Sequence, residues 1–154
     1  MIRKAEQKDI PRLLDLLFQV NNVHACGRPD IFKINGTKYT APELEELIKD
    51  EKYPIFVFDD GGTVRGYAFC KIVFTEDGTS LRERITMYVD DICVDADSRG
   101  RHIGTALYRY VENTAREAGC DSITLNVWEL NGPARAFYDS LGMKPLKTTM
   151  EKIL

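Results

Sequence analysis

An α/β fold is what this sequence predicts: a mixed sheet, antiparallel in its first part and parallel at one crossover, flanked by helices. Three observations carry that expectation. Two apolar, strand-like runs, Ile55–Phe58 and Gly66–Phe74, flank Asp59-Asp60-Gly61-Gly62, which is a strong hairpin signal. A third run, Ile85–Val94, leads through a short polar turn into an amphipathic pattern from Arg101 to Gly119. A further strand, Ile123–Trp128, follows, and strand–helix–strand order implies a parallel pair with a right-handed crossover.

The remaining elements follow in order. Met1–Ala5 reads as a short strand. Asp9 is placed to cap a helix with Pro11 in its first turn, and Leu13, Leu14, Leu16, Leu17 and Val20 form its core-facing stripe. From Asn21 to Thr40 the pattern breaks, punctuated by Gly27, Pro29, Asn35 and Gly36, and a long loop is expected there. Thr40 with Glu43 makes a capping box for a short helix through Ile48. A polar loop runs from Thr75 to Glu83. Asn131 caps the last helix, with Pro133 in its first turn, and Leu141-Gly142 ends it; a final strand is expected within Met143–Leu154.

The 154 residues suit one domain, 1–154, large enough to bury a substantial core. A net charge of −3 argues against nucleic acid or an anionic membrane as the main partner. No apolar run approaches a membrane span and the N-terminus lacks a signal-peptide core, so a cytoplasmic protein is expected. Cys26, Cys70, Cys93 and Cys120 form no close pair, which favours reduced thiols. His24 and His102 are the only histidines and lie far apart, so no histidine-based metal site is expected.

The stretch Asp91–Leu107 carries the chemistry. Ile92-Cys93-Val94 closes a strand, Asp95–Ser98 supplies turn residues, and the helix starts with Gly100 and Gly104 in places helix propensity would not choose. A helix N-terminus presents unpaired N–H groups and partial positive charge, and glycine lets a ligand approach the backbone. With Arg99 and Arg101 adding charge, the stretch reads as a pyrophosphate cradle. Neither the Gly-x-x-x-x-Gly-Lys-Ser/Thr loop nor the Gly-x-Gly-x-x-Gly fingerprint occurs in the chain.

Arg99, Ile103 and Gly104 resemble the Arg/Gln-x-x-Gly-x-Gly/Ala motif of the GNAT acetyltransferase superfamily, with His102 standing where the first motif glycine is usual. Asn131-Gly132-Pro133-Ala134-Arg135-Ala136-Phe137-Tyr138-Asp139-Ser140-Leu141-Gly142-Met143 resembles the closing motif Asn-x-x-Ala-x-x-Phe-Tyr-x-x-Leu-Gly-Phe, with Met143 for the last Phe. The likeness is strong from about Ile85 to Met143 and only one of element order over the first 50 residues. It implies the GNAT fold and an N-acetyltransferase that uses acetyl-CoA as co-substrate, without a metal, and a primary amine as acceptor. It implies that the strands ending at Val94 and near Trp128 splay apart. The backbone of Ile92, Cys93 and Val94 would pair with pantetheine. The amides of Arg99, Gly100, Arg101, His102, Ile103, Gly104 and Thr105 would hold the pyrophosphate. Asn131 and Tyr138 would face the cofactor, with Tyr138 as the acid for the departing thiolate.

Acetyl transfer to an amine calls for a base, because an alkyl amine of pKa about 10.4 is neutral in only about one molecule in 2,500 at pH 7. Candidates are Asp90, Asp91 and Glu129, with Asp91 the leading one. In an unbulged strand Asp90 and Asp91 point to opposite faces, so only one could face the acceptor. A strand N–H near Cys93 or Val94 could stabilise the thioester oxygen as charge develops. His102 either covers the phosphates with its backbone alone or lends its ring. Trp128 either walls the acceptor site or packs the sheet. The competing class is a GNAT-fold module that senses acyl-CoA without turnover. A homodimer is left open.

Overall fold

The structure, a computed structural model, describes residues 1–154. Its centre is a five-stranded sheet in the order β1 (Ile2–Lys4), β2 (Ile55–Asp60), β3 (Thr63–Thr75), β4 (Arg84–Val94) and β5 (Ser122–Leu125). The first three pairings are antiparallel and β4/β5 is parallel, joined through α3 (Ile103–Glu117). The hairpin turn falls on Gly61 and Gly62, both at positive φ (62° and 92°), where glycine avoids the Cβ clash.

Strand alternation sorts the core onto the two faces of the sheet. Ile55, Val57, Tyr67 and Phe69 pack with Leu13, Leu16 and Leu17 of α1 (Ile10–Gly27) and Leu44 of α2 (Ala41–Lys49). Phe56, Ala68, Cys70, Met87 and Val89 pack with Val111 and Ala115 of α3 on the other face. Thr40 and Glu43 close the expected capping box on α2, and α4 spans Gly132–Ser140 behind the cap of Asn131.

Four expectations need correction. Asp9 does not cap α1 with its side chain; its carboxylate accepts from the Glu6 amide (2.8 Å) and from Arg3 (2.7 Å), closing a short 3-10 turn, Gln7–Asp9, that precedes the helix. The break expected from Asn21 comes later. Helix α1 runs on through Gly27, because Ala25 is buried and a Cβ on Gly27 would stand 2.9 Å from Leu130, contacts that outweigh the weak helix propensity of Asn21 and Asn22. Strand β5 stops at Leu125, short of Trp128, since its pairing with β4 ends there. Met143–Leu154 forms no strand; its backbone finds no ladder partner.

Candidate active site

The turn between β4 and α3 is built by backbone geometry and one buried carboxylate. A 3-10 turn, Ala96–Ser98, leads into Gly100 at φ 76° and His102 at φ 58°, ψ 17°. The usual glycine at the position of His102 thereby has a physical reason: the left-handed region costs an L-residue, although histidine enters it more readily than β-branched residues. Beneath the turn Asp95, only 5% exposed, accepts from Arg12 Nη2 (2.6 Å) and Gln19 Nε2 (3.1 Å) on α1. The Ser98 amide donates back to the Asp95 carbonyl at 2.8 Å. The backbone amides of Arg99, Gly100, Arg101, His102, Ile103, Gly104 and Thr105 donate to no acceptor within the chain; the first bond of the helix is Ala106 N–H to the His102 carbonyl at 3.0 Å. That run of free amides at a helix N-terminus fits a pyrophosphate.

Arg101 reaches Asp60 of the hairpin at 3.4 Å, and Arg99 Nε donates to the Val94 carbonyl at 3.4 Å. Gly104 has a different neighbour from the one its place in the motif suggests. A Cβ there would meet Phe137 Cζ at 3.4 Å and Val94 Cγ2 at 3.6 Å, so its bareness lets α4 close onto α3.

The sheet opens beside this turn. Pairing of β4 with β5 ends at Val89 and Leu125, while β4 continues to Val94 against β3 alone. The other edge of Asp90–Val94 is therefore unpaired, as expected of a splay. Gly66 lets β3 press onto this stretch: a Cβ there would lie 2.7 Å from the Cys93 carbonyl.

At the opening β4 carries a bulge, which overturns the expectation that Asp90 and Asp91 face opposite ways. Asp91 pairs with Phe69 and Val89 with Cys70, leaving Asp90 as the extra residue. Met87 and Val89 face α3, whereas Cys93 faces α1, so the alternation changes phase at Asp90. Both carboxylates are then held by one aromatic group. Tyr39 Oη donates to Asp90 and Tyr67 Oη to Asp91, each at 2.7 Å, and Phe69 lies between the two rings, with centroids 5.5 and 4.8 Å away. Lys38 Nζ also reaches Asp90 at 2.9 Å.

Electrostatics sort the candidate groups. Burial pushes the Asp91 carboxyl above the usual aspartate range, with Tyr67 and Lys38 pulling the other way. Burial, reinforced by Asp91, pushes the Cys93 thiol up to about 12. Tyr138 of α4 is raised above the ordinary tyrosine value, first by burial and then by the Asp91 charge. Its hydroxyl has no partner in the chain. Asn131 Oδ1 accepts from the Ala134 amide at 3.2 Å, so capping alone already occupies it. Glu129 is exposed on the loop after β5.

The end of α1 and the following loop form the outer wall. His24 stacks on Phe32 (centroids 5.1 Å apart), and Phe32 meets Trp128 edge-on at 5.1 Å. Burial, then the Lys38 charge, lower His24, and its Nδ1 is buried without a partner. Trp128 thus packs the loops together while staying 39% exposed. Lys38, Tyr39, Gly66, Tyr67 and Asp95 were missed from sequence; the one available signal was the polar, aromatic-bearing loop before Thr40.

Residues 17–143 match the acetyltransferase (GNAT) family profile. A curated relative, the uncharacterized N-acetyltransferase MJ1207 of Methanocaldococcus jannaschii, is 27% identical over 143 residues, 93% of this chain; the chain spans about 60% of that relative's length. A point mutant of the BH1408 protein of Bacillus halodurans superposes with a TM-score of 0.96 at 32% identity, over 100% of this chain and 99% of that one. The aminoglycoside N-acetyltransferase AAC(6')-Iy in complex with CoA shares the fold at a TM-score of 0.73 and 16% identity, over 100% of this chain and 93% of that one. With the profile covering most of its length, this chain belongs to the GNAT acetyltransferase family.

Proposed function

We propose that the protein transfers the acetyl group of acetyl-CoA directly to a primary amine, and that residues 1–154 act as one catalytic domain. The observation that carries this reading is the run of free amides from Arg99 to Thr105 beside the unpaired edge of Asp90–Val94. Together they offer an anion site and, next to it, an extended backbone edge for an amide-bearing chain. When bound, acetyl-CoA supplies the activated thioester; all other parts come from this chain.

Asp91 is the base. Burial keeps it more basic than an exposed aspartate, and the Tyr67 hydrogen bond fixes its orientation, so it can take a proton from the incoming ammonium, directly or through water. Asp90, paired with Lys38 and Tyr39, is the weaker candidate because its oxygens are already engaged. The raised Cys93 thiol argues for direct transfer over an acetyl-cysteine route. Amides on the free edge near Cys93 and Val94 can meet charge developing on the carbonyl oxygen. Tyr138 assists the leaving sulfur. Its raised pKa makes complete proton transfer uphill, so its contribution is a hydrogen bond that strengthens as charge grows on sulfur.

Tyr138→Phe tests this role. The ring and its packing remain, so CoA affinity holds while kcat falls by about 10²-fold, the lower part of the range for general acid catalysis. A variant that keeps more than about a third of wild-type kcat with its fold intact removes Tyr138 from the chemistry.

A further inference from the structure

Asp90 has a partner that the transfer mechanism leaves idle. Lys38 Nζ lies 2.9 Å from its Oδ1 and donates to its main-chain carbonyl at 3.3 Å. Asp90 is the first residue of β4 beyond the point where pairing with β5 stops, and the bulge already takes it out of the ladder with β3. The Lys38 ammonium therefore sits on the backbone of the stretch that stands open to an amide-bearing chain. Its approach is fixed by the residues that follow. Tyr39 donates to the other Asp90 oxygen at 2.7 Å and stacks on Phe69, and Thr40 caps α2, so the main chain is tied down just after Lys38. The Lys38 side chain is 44% exposed and that of Asp90 22%, so the pair is open to solvent and holds the ammonium weakly. No other lysine ammonium contacts β4: Lys8 and Lys49 pair with the nearby Glu6 and Glu46, and Lys71 lies over Tyr53.

We infer that Lys38 is itself an acceptor: with acetyl-CoA bound and no amine substrate present, the protein acetylates its own Lys38. This step rests on the acetyl-transfer function proposed above. The Lys38 ammonium gives one proton to Asp91, directly or through water, and the neutral Nζ attacks the thioester carbonyl carbon. An N–C bond forms as the C–S bond breaks. The sulfur leaves as CoA thiolate and gains a proton, while Nζ loses its second proton to solvent. The products are acetyl-lysine and CoA, with one proton released. An amine already seated at the opening need not be collected from solution, which is the entropic advantage of an intramolecular reaction. The product carries no charge at position 38, so Asp90 loses its one ion-pair partner and is left free to meet the ammonium of a separate amine.

Incubating the full chain with isotopically labelled acetyl-CoA, without added amine, and mapping the label by peptide mass spectrometry tests this. Label is expected on Lys38 at least about tenfold faster than on Lys4, Lys49 or Lys144, at a rate that saturates in acetyl-CoA and holds constant over about a tenfold range of protein concentration. Lys38→Arg keeps the charge on Asp90, so it is expected to retain the CoA-induced rise in Tm and to lose the label. A Lys38 that stays unlabelled, or that labels no faster than the other lysines, overturns the assignment. So does a rate constant that rises with protein concentration, which marks transfer between molecules. The same preparation given a panel of amines separates self-acetylation from the function it rests on. Acetylated amines beside an unlabelled Lys38 remove only self-acetylation, whereas no acetylated amine, no label and no thiol release remove both. The wild-type map decides the matter even if Lys38→Arg fails to fold.

Discussion

Replacing His102 by glycine isolates what the left-handed backbone of the cradle costs. At φ 58°, ψ 17° an L-residue gives up about 1–2 kcal/mol relative to ordinary conformations, and histidine lies toward the lower end. Glycine removes that cost but makes the unfolded chain freer by about 0.5–1 kcal/mol. The net is a gain of about 0–0.5 kcal/mol, which for a domain of this size raises Tm by up to about 2 °C. His102→Val moves the other way, because a β-branched side chain fits this region worst; a loss of about 1–2 kcal/mol lowers Tm by about 2–8 °C. Thermal unfolding of both variants, with and without CoA, gives the two shifts, and calorimetric titration gives affinity. CoA affinity of His102→Gly stays within about threefold if the backbone alone does the binding. A His102→Gly protein less stable than wild type refutes the conformational argument. A tenfold or greater loss of CoA affinity shows that the imidazole itself holds phosphate.

Three other outcomes follow from the site. With the thiol pushed up to about 12, Cys93 is ionised in only about one molecule in 10⁵ at pH 7, so Cys93→Ala keeps most of its turnover, loses about 1 kcal/mol of stability, and no acetylated cysteine is seen by mass spectrometry of the wild type. Asp91, raised by burial, binds its proton more tightly folded than unfolded; its stability contribution is therefore lost as pH rises from the ordinary aspartate value through the raised one. The rate needs the ionised form, so kcat/KM shows an acid limb above the ordinary aspartate range, and Asp91→Asn abolishes that limb, as a pH profile reads directly. Asp95→Asn removes the charge that Arg12 and Gln19 bond to and costs about 2 kcal/mol, a fall in Tm of about 4–8 °C with a matching loss of CoA affinity as the turn loosens.

Local chemistry was legible in the sequence where it was decided locally. Gly61-Gly62 marks its turn because only positive φ closes that hairpin, and Thr40 with Glu43 forms its box within four residues. The open helix start after β4 was legible for the same reason: free amides there need no distant partner. The bulge was not, since it exists only in the register of β4 against Phe69 and Cys70 of β3, and it is what turns both carboxylates toward the tyrosines. Asp95 reads as a turn residue, and its burial depends on Arg12, 83 positions away. The extension of α1 hangs on Leu130 meeting Gly27. The strand expected in Met143–Leu154 has the right alternation and no neighbour within the chain.

The central claim is acetyl transfer from acetyl-CoA to an amine at the opening between β4 and β5. Release of CoA thiol, followed across a broad panel of small amines and peptides with mass spectrometry of each acceptor, tests it most directly. At least one acceptor is expected to gain an acetyl group in step with thiol release, with both signals falling together in Tyr138→Phe. Tight CoA binding with no thiol release and no acetylated acceptor across the panel would contradict it and leave a protein that binds the nucleotide without turning it over.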